Sequence, residues 1–184
     1  PMNIVPPSIA VIEDVASAIT GISFTDPDSN LNPVLAVLSV PSGSLAASGG
    51  GGVAVGGTSS FMTLTGTLAD INAFVAGGNV TFTTAANATT DVNLAVHLDD
   101  QGNTGSGGNV VAINDVTLAV TAVNDAPVNT VPGVQVGNED TNLGITGLSI
   151  ADLDAGSGTL TTTLSVGSGK LTVATVGGGA AVVG

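Results

Sequence analysis

The feature that most constrains this chain is an internal repeat with an offset of 126 residues. Residues 3–45 align with residues 129–171 without a gap, and 17 of these 43 positions are identical. Because the copies of a repeated sequence adopt one supersecondary unit each, the alignment predicts two copies of one domain. We expect the first copy at residues 1–127 and the first half of a second, truncated copy at residues 128–184.

We expect both ends of the sequence to be internal positions of a longer protein. Pro1-Met2-Asn3 has neither the basic nor the apolar stretch that opens a secretory signal. Half of a β domain would leave sheet edges unpaired. We therefore expect the chain to be a segment of a longer, repetitive protein.

Charge and composition exclude several classes of function. The chain carries 14 acidic residues against one Lys or Arg residue, Lys170, for a formal net charge of −13. Almost no cation is present to neutralise phosphates, so nucleic-acid binding and docking on anionic lipid are excluded. Cysteine is absent, which excludes disulfide scaffolds and zinc fingers. Mean hydropathy is +0.54, but no apolar run has the roughly 20 residues of a membrane span, so we expect no membrane insertion.

The apolar residues alternate with Gly and Thr in a pattern that is typical of β-strands. We predict one short helix at Leu68–Val75, since Thr67 and Asp70 have capping-box spacing and the apolar residues of the segment can face a core. About seven strands in one repeat predict an antiparallel β-sandwich. The predicted strands are Ser8–Ile12, Ile19–Phe24, Val34–Val40, Phe61–Thr65, Val80–Thr84, Asp91–Leu98 and Val110–Val123.

The acidic residues cluster at turns and at the boundary between the repeats. Two carboxylates in an Asp-x-Asp turn can point at one ion, and Asn-Asp at the linker adds an amide oxygen. Calcium prefers such oxygen ligands, while thiols are absent and His97 stands alone, so Ca²⁺ is the predicted ion. The residues that suggest it are Asp26 and Asp28, Asn124 and Asp125, and Asp152 and Asp154.

The linker Ala122-Val123-Asn124-Asp125-Ala126-Pro127 resembles the junction of cadherin-like repeats. The resemblance is to the Val-Asn-Asp-Ala-Pro linkers of large bacterial surface adhesins and RTX-type repetitive proteins. Other elements follow in the family's order. Glu13 stands where the family has a Glu in its first strand, and Asp26-x-Asp28 matches the family's Asp-x-Asp turn. The family also has a strand that ends in an Asp-x-Gly turn, and the matching residues here are Leu94-x-Val96-x-Leu98-x-Asp100-x-Gly102.

This resemblance implies tandem Ig-like, cadherin-like Greek-key sandwiches with calcium at both ends of a repeat. It assigns one site to Glu13, Asp91, Asn124 and Asp125, closed by Asp152 and Asp154 of the second copy. It assigns Asp26, Asp28 and Asp100 to a site shared with a preceding repeat. The family's Asp-Arg-Glu motif is reduced here to Asp91 alone at the end of residues 87–91, which implies fewer ions at each junction than in animal cadherins.

The function that this interpretation implies is a spacer at the bacterial surface. Calcium would stiffen an acidic joint between neighbouring repeats of one polypeptide, and the extracellular rod would support cell adhesion and biofilm formation. We expect no enzyme, because the single His97 lies in a strand pattern and no nucleophile has a base beside it.

Several alternatives stay open. The acids could serve turn formation without metal, and Glu13 and Asp91 could be merely exposed. The chain could be a subunit of a filament or surface layer, with lateral or end-to-end association, in which a neighbouring chain completes the half-domain. A glycan-binding module is disfavoured, since Trp and Tyr are absent and we expect all four Phe residues in the core. An ice-binding surface would need Thr-x-Thr at a short period, and the only period found is 126.

Overall fold

The computed structural model describes residues 1–29, 31–103 and 108–173. It divides into two compact units, unit 1 at Pro1–Ala126 and unit 2 at Pro127–Gly184; residues 174–184 of the predicted second repeat lie outside the described residues. Unit 1 contains strands β1 Met2–Ile4, β2 Ser8–Ile12, β3 Ser17–Ala18, β4 Ser23–Thr25, β5 Val34–Ser39, β6 Ser44–Ala47, β7 Ala54–Thr58, β8 Phe61–Gly66, β9 Val80–Thr83, β10 Val92–Asp99 and β11 Val111–Thr121, with helix α1 at Leu68–Ala76 between β8 and β9. Unit 2 contains β12 Val128–Thr130 and β13 Ser149–Ala151.

A six-stranded sheet forms one layer of unit 1, in the order β2-β11-β10-β5-β8-β7. Its long central strand β10 alternates buried and less buried residues along its whole length. Leu94, Val96 and Leu98 therefore face inward, while His97 points to the other side and is half-buried.

The mostly β fold is confirmed, and six of the seven predicted strands match observed strands to within two residues. The predicted strand Ile19–Phe24 is wrong over residues 19–22, because Gly21 has a left-handed backbone there and the strand begins only at Ser23.

One edge of this sheet departs from the predicted antiparallel arrangement. Strand β2 pairs with β11 in parallel, from Ser8 beside Thr117 to Ile12 beside Thr121. The other pairs of the sheet are antiparallel. A parallel pair needs a long connection between its strands, and here almost the whole of unit 1 separates them. Alternation in a sequence shows which face a residue occupies but not the direction of its partner strand.

The second layer of unit 1 consists of smaller sheets, β3-β9-β6 and β1-β4. Phe82 of β9 and Phe24 of β4 join the same apolar core as Leu38 of β5 and Leu118 of β11. Two layers with one shared core form a sandwich-like β fold. Strands β1, β3, β6 and β7 were not among the predicted strands, because they are short or rich in Gly and Ala.

Helix α1 begins and packs as predicted. The Thr67 hydroxyl accepts a hydrogen bond from Asp70 N at 3.2 Å and donates one to Asp70 Oδ2 at 2.7 Å. Such a cap stabilises a helix by about 1 kcal/mol. Ile71 and Phe74 are buried in the core, and Asn72 ties the helix to β4 through hydrogen bonds with Phe24 N and O at 2.8 and 2.9 Å.

The expectation that all four Phe residues are core residues is wrong for Phe61, which is 52% exposed. It begins β8, where Met62 and Leu64 point inward. Neighbouring residues of a strand face opposite sides, so Phe61 has to lie on the outer side of the sheet. Phe24, Phe74 and Phe82 are buried.

Unit 2 reproduces local geometry of unit 1 at the repeat offset. Strands β12 and β13 pair with Val128 opposite Ala151, just as Met2 lies opposite Thr25 in β1 and β4. The left-handed backbone recurs too. Gly21 and Gly147 have φ of 81° and 80°, a region that glycine enters without steric cost.

Candidate cation-binding sites

Glu13 is the most deeply buried acid of unit 1, at 1% exposure. It follows β2, and its N–H donates to Thr121 O at 3.0 Å, which continues the parallel pairing beyond the strand. One carboxylate oxygen, Oε2, accepts a hydrogen bond from Val123 N at 2.8 Å. The other, Oε1, is buried without a hydrogen-bond partner. An acid oxygen left in this state is costly, and a cation would satisfy it.

Asp91 lies against the same stretch of chain as Glu13. Its Oδ1 accepts a hydrogen bond from Val120 N at 2.9 Å, and the residue is exposed. The two acids therefore each bind a backbone N–H of the segment that ends β11, three residues apart. The exposed side chain of Asn124 donates to Asp125 O at 3.0 Å, and Asp125 is half-buried. All four predicted ligands at this end of unit 1 thus lie on or beside residues 120–125.

Asp26 and Asp28 form a close carboxyl pair in the turn after β4. Asp28 N donates to Asp26 Oδ1 at 3.5 Å. A hydrogen bond with the Asp26 carboxyl, then burial and the charge of Asp26, raise the pKa of Asp28 above its ordinary 3.8. Asp26 is 9% exposed, and its Oδ2 is buried without a hydrogen-bond partner. This oxygen is the second unsatisfied acid oxygen of the unit.

Asp100 is held by backbone groups after β10. Its Oδ1 accepts hydrogen bonds from Gly102 N at 2.8 Å and Val110 N at 3.0 Å, and it is 5% exposed. The hydrogen bond from Val110, then that from Gly102, lower the pKa of Asp100 below 3.8. The carboxylate thus joins the backbone at Gly102 to the backbone at Val110, which is a structural role that sequence reasoning did not assign to it.

In unit 2, Asp152 and Asp154 form a turn like that of Asp26 and Asp28. Asp152 Oδ1 accepts hydrogen bonds from Asp154 N and Ala155 N, both at 2.9 Å. Asp152 and Asp154 are half-buried. The two Asp-x-Asp turns therefore share the hydrogen bond from the N–H of the second Asp to the carboxylate of the first, at 3.5 Å in unit 1 and 2.9 Å in unit 2.

Across residues 1–29, 31–103 and 108–173, no group of three or more His, Cys, Asp or Glu side chains is placed to hold a metal ion. The structure brings Asp26 and Asp28 together as a pair and leaves Glu13, Asp91 and Asp100 each bound to backbone N–H groups. The calcium assignment of the nine residues therefore stays a prediction.

Sequence reasoning missed the role of Asn3. Its side-chain nitrogen donates to Val96 O at 2.9 Å and to Ala112 O at 3.1 Å, and the residue is buried. These two hydrogen bonds hold β1 against the β10–β11 hairpin. A signal was present, because the residue recurs at the repeat offset as Asn129.

Comparison with protein families, curated proteins and solved structures gives no match to this chain. Within the part of the chain that the structure describes, no helix is long and apolar enough to cross a membrane. What the chain does therefore has to be argued from its own residues.

Proposed function

We propose that this chain is a calcium-stiffened extracellular spacer of a repetitive bacterial adhesin. In this proposal each copy of the repeat is an Ig-like, cadherin-like Greek-key sandwich, and the array holds binding domains away from the cell for adhesion and biofilm formation. The repeated turns, the net charge of −13 and the acidic linker support it. The observation that carries it is the pair of buried acid oxygens without hydrogen-bond partners, Glu13 Oε1 and Asp26 Oδ2.

The proposed ligands are oxygen donors of the kind that calcium prefers. Calcium takes six to eight oxygens from carboxylates, amide groups, backbone and water. Glu13 and Asp91 each have one oxygen bonded to a backbone N–H, which fixes the side chain and leaves its second oxygen to a cation. Asn124 and Asp125 add side-chain oxygens beside them. Extracellular modules bind calcium at ~10⁻⁴–10⁻³ M, so such sites would fill outside the cell.

Stiffening would follow from electrostatics. The chain has one Lys or Arg residue for 14 acids, so the acids near the linker repel one another when no cation is bound. A divalent ion replaces that repulsion with attraction and fixes the segment around residues 120–125. We propose that Asp152 and Asp154 add ligands of unit 2 to the same response.

Thermal melting of residues 1–184 tests the proposal. Samples contain EDTA, millimolar CaCl₂ or millimolar MgCl₂, with NaCl adjusted so that ionic strength is equal. We expect calcium to raise the melting temperature of unit 1 and magnesium to raise it less, because magnesium demands a stricter octahedral geometry. Glu13→Gln should reduce the calcium effect, and Glu139→Gln, the exposed repeat counterpart, should not. Equal melting temperatures in EDTA and calcium would refute the proposal.

A second function is favoured by a different observation. Many large apolar residues of unit 2 are exposed, Leu148 and Leu164 among them, as expected for a half-domain that a neighbouring chain completes in a filament or surface layer. Concentration-dependent assembly into ordered fibres, seen by electron microscopy in EDTA as well as in calcium, would favour the filament over the spacer. A monomer at all concentrations would exclude it.

A further inference from the structure

Some of the exposed apolar residues of unit 2 occupy repeat positions that form the core of unit 1. Six of them are 36 to 48% exposed, and the residues at the same repeat positions of unit 1 are only 0 to 6% exposed. The six are Ile145, Leu148, Leu160, Leu164, Val166 and Leu171, and their counterparts are Ile19, Ile22, Val34, Leu38, Val40 and Leu45. Unit 2 therefore presents the core face of the repeat without the residues that cover it in unit 1.

A cleft of about 270 Å³ opens on this face, lined in part by Asn129, Leu148, Ile150 and Leu164. Asn129, one of the polar residues that line the cleft, is exposed. Every one of these four residues corresponds to a buried residue of unit 1, since their counterparts are Asn3, Ile22, Phe24 and Leu38. The cleft of unit 2 therefore lies at a place where the corresponding residues of unit 1 are covered by other residues.

What fills it in unit 1 is the hairpin of β10 and β11. Leu94, Val96 and Leu118 of this hairpin share the core cluster with Leu38 and Ile22. The Asn3 side chain donates to one carbonyl of each strand, Val96 O and Ala112 O. A partner for the cleft therefore has to supply an apolar strand face and one backbone carbonyl from each of two neighbouring strands.

We infer that the cleft of unit 2 is a docking groove for the C-terminal half of a repeat, a polypeptide segment with the chemistry of residues 59–126. Its central element is a β-hairpin whose two carbonyls accept hydrogen bonds from Asn129, as Val96 and Ala112 accept them from Asn3. The common register of β1–β4 and β12–β13 supports this occupant, because the groove already has the strand geometry that the hairpin meets in unit 1. The inference does not depend on calcium.

The test uses the full chain with residues 59–126 attached after Gly184, which stands at repeat position 58, so that docking does not depend on added concentration. Hydrogen exchange is read on residues 3–45 and 129–171, whose sequences differ and give distinct peptides. We expect amides around Ile150 and Leu164 to exchange about 100-fold or more slowly than in the unextended chain, as amides do when they join a folded core. Residues 3–45 should keep their protection.

Matched variants separate docking from general apolar adhesion. Leu164→Ser removes a side chain whose counterpart Leu38 is fully buried, and it should abolish the new protection. Leu153→Ser changes an equally apolar residue whose counterpart Pro27 is exposed, and it should leave the protection intact. Exchange around Ile150 that is unchanged by the extension overturns the inference. Protection that survives Leu164→Ser as well as Leu153→Ser also overturns it, since the cleft is then not the contact.

Discussion

Glu13 and Val123 are 110 residues apart in the chain and are joined by a hydrogen bond of 2.8 Å between the Glu13 carboxylate and the Val123 N–H. The bond holds the residue that follows β2 against the residue just before the Asn-Asp linker. Only one of the two carboxylate oxygens is used, because Oε1 is buried without a hydrogen-bond partner. The Glu13 side chain thus forms a structural hydrogen bond through one oxygen and leaves the other oxygen available to a cation.

Replacing Glu13 with Gln should have opposite effects in the absence and presence of calcium. In EDTA we expect Glu13→Gln to raise the melting temperature, because the amide removes a buried charge while its oxygen still accepts the hydrogen bond from Val123 N. Calcium should raise the melting temperature of the variant less than it raises that of the wild type. Differential scanning calorimetry in both buffers measures the two effects. Glu139→Gln is the control, and a fall in the EDTA melting temperature of Glu13→Gln would show that the charge stabilises the free fold.

The Asp26–Asp28 pair should destabilise unit 1 at neutral pH. Hydrogen bonding with Asp26, burial and the charge of Asp26 raise the pKa of Asp28 above 3.8. The folded state therefore binds this proton more tightly than the unfolded state, and stability falls as the pH rises from 3.8 through the raised pKa. We expect Asp28→Asn to raise the melting temperature at pH 7 in EDTA and to change it little below pH 3.8.

The control for this pair is Asp154→Asn, the same change in unit 2, which should leave the melting of unit 1 unaltered. Circular dichroism melts across the acidic range give the comparison. A variant that is less stable than the wild type at pH 7 would contradict the expected repulsion between the two carboxyls.

Asp100 should contribute to stability with the opposite dependence on pH. Hydrogen bonds from Val110 N and Gly102 N lower the pKa of Asp100 below 3.8. Its contribution is therefore complete above pH 3.8 and is lost as the pH falls through the lowered pKa. Asp100→Asn should lower the melting temperature at pH 7, and its difference from the wild type should shrink on acidification. Asp115→Asn, at an exposed position of β11, is the control and should melt as the wild type does at pH 7. A constant difference between Asp100→Asn and the wild type across the pH range would argue against the carboxylate as the cause.

The sequence predicts local features of this fold well. Helix α1 is specified within its own segment, because Thr67 and Asp70 cap it and Ile71 and Phe74 face inward. The outward position of Phe61 could also have been predicted from the alternation of strand residues, since Met62 and Leu64 point inward and Phe61 comes directly before Met62.

Features that join distant segments could not be predicted in this way. The parallel pairing of β2 with β11 and the buried side chain of Asn3 on Val96 and Ala112 depend on which strands become neighbours. Hydrophobic alternation does not contain that information. For the candidate site, the Asp-x-Asp turns were visible as a spacing, but the bonding of one Glu13 oxygen by Val123 N–H depends on the same long-range pairing.

Asn3 and Asn129 offer a direct comparison of one side chain with and without its hairpin. Asn3→Ala should lower the free energy of unfolding of unit 1 by about 1–3 kcal/mol, because a buried carbonyl, Val96 O, and a partly buried one, Ala112 O, lose their donor. Loss of Asn3 Oδ1, a buried oxygen without a hydrogen-bond partner, offsets part of this, so we expect a value in the lower half of the range. Asn129→Ala should change the unfolding of residues 1–184 by less than about 0.5 kcal/mol, as exposed positions do. Urea unfolding of both variants measures the difference, and equal effects of the two substitutions would mean that Asn129 already has buried partners of its own.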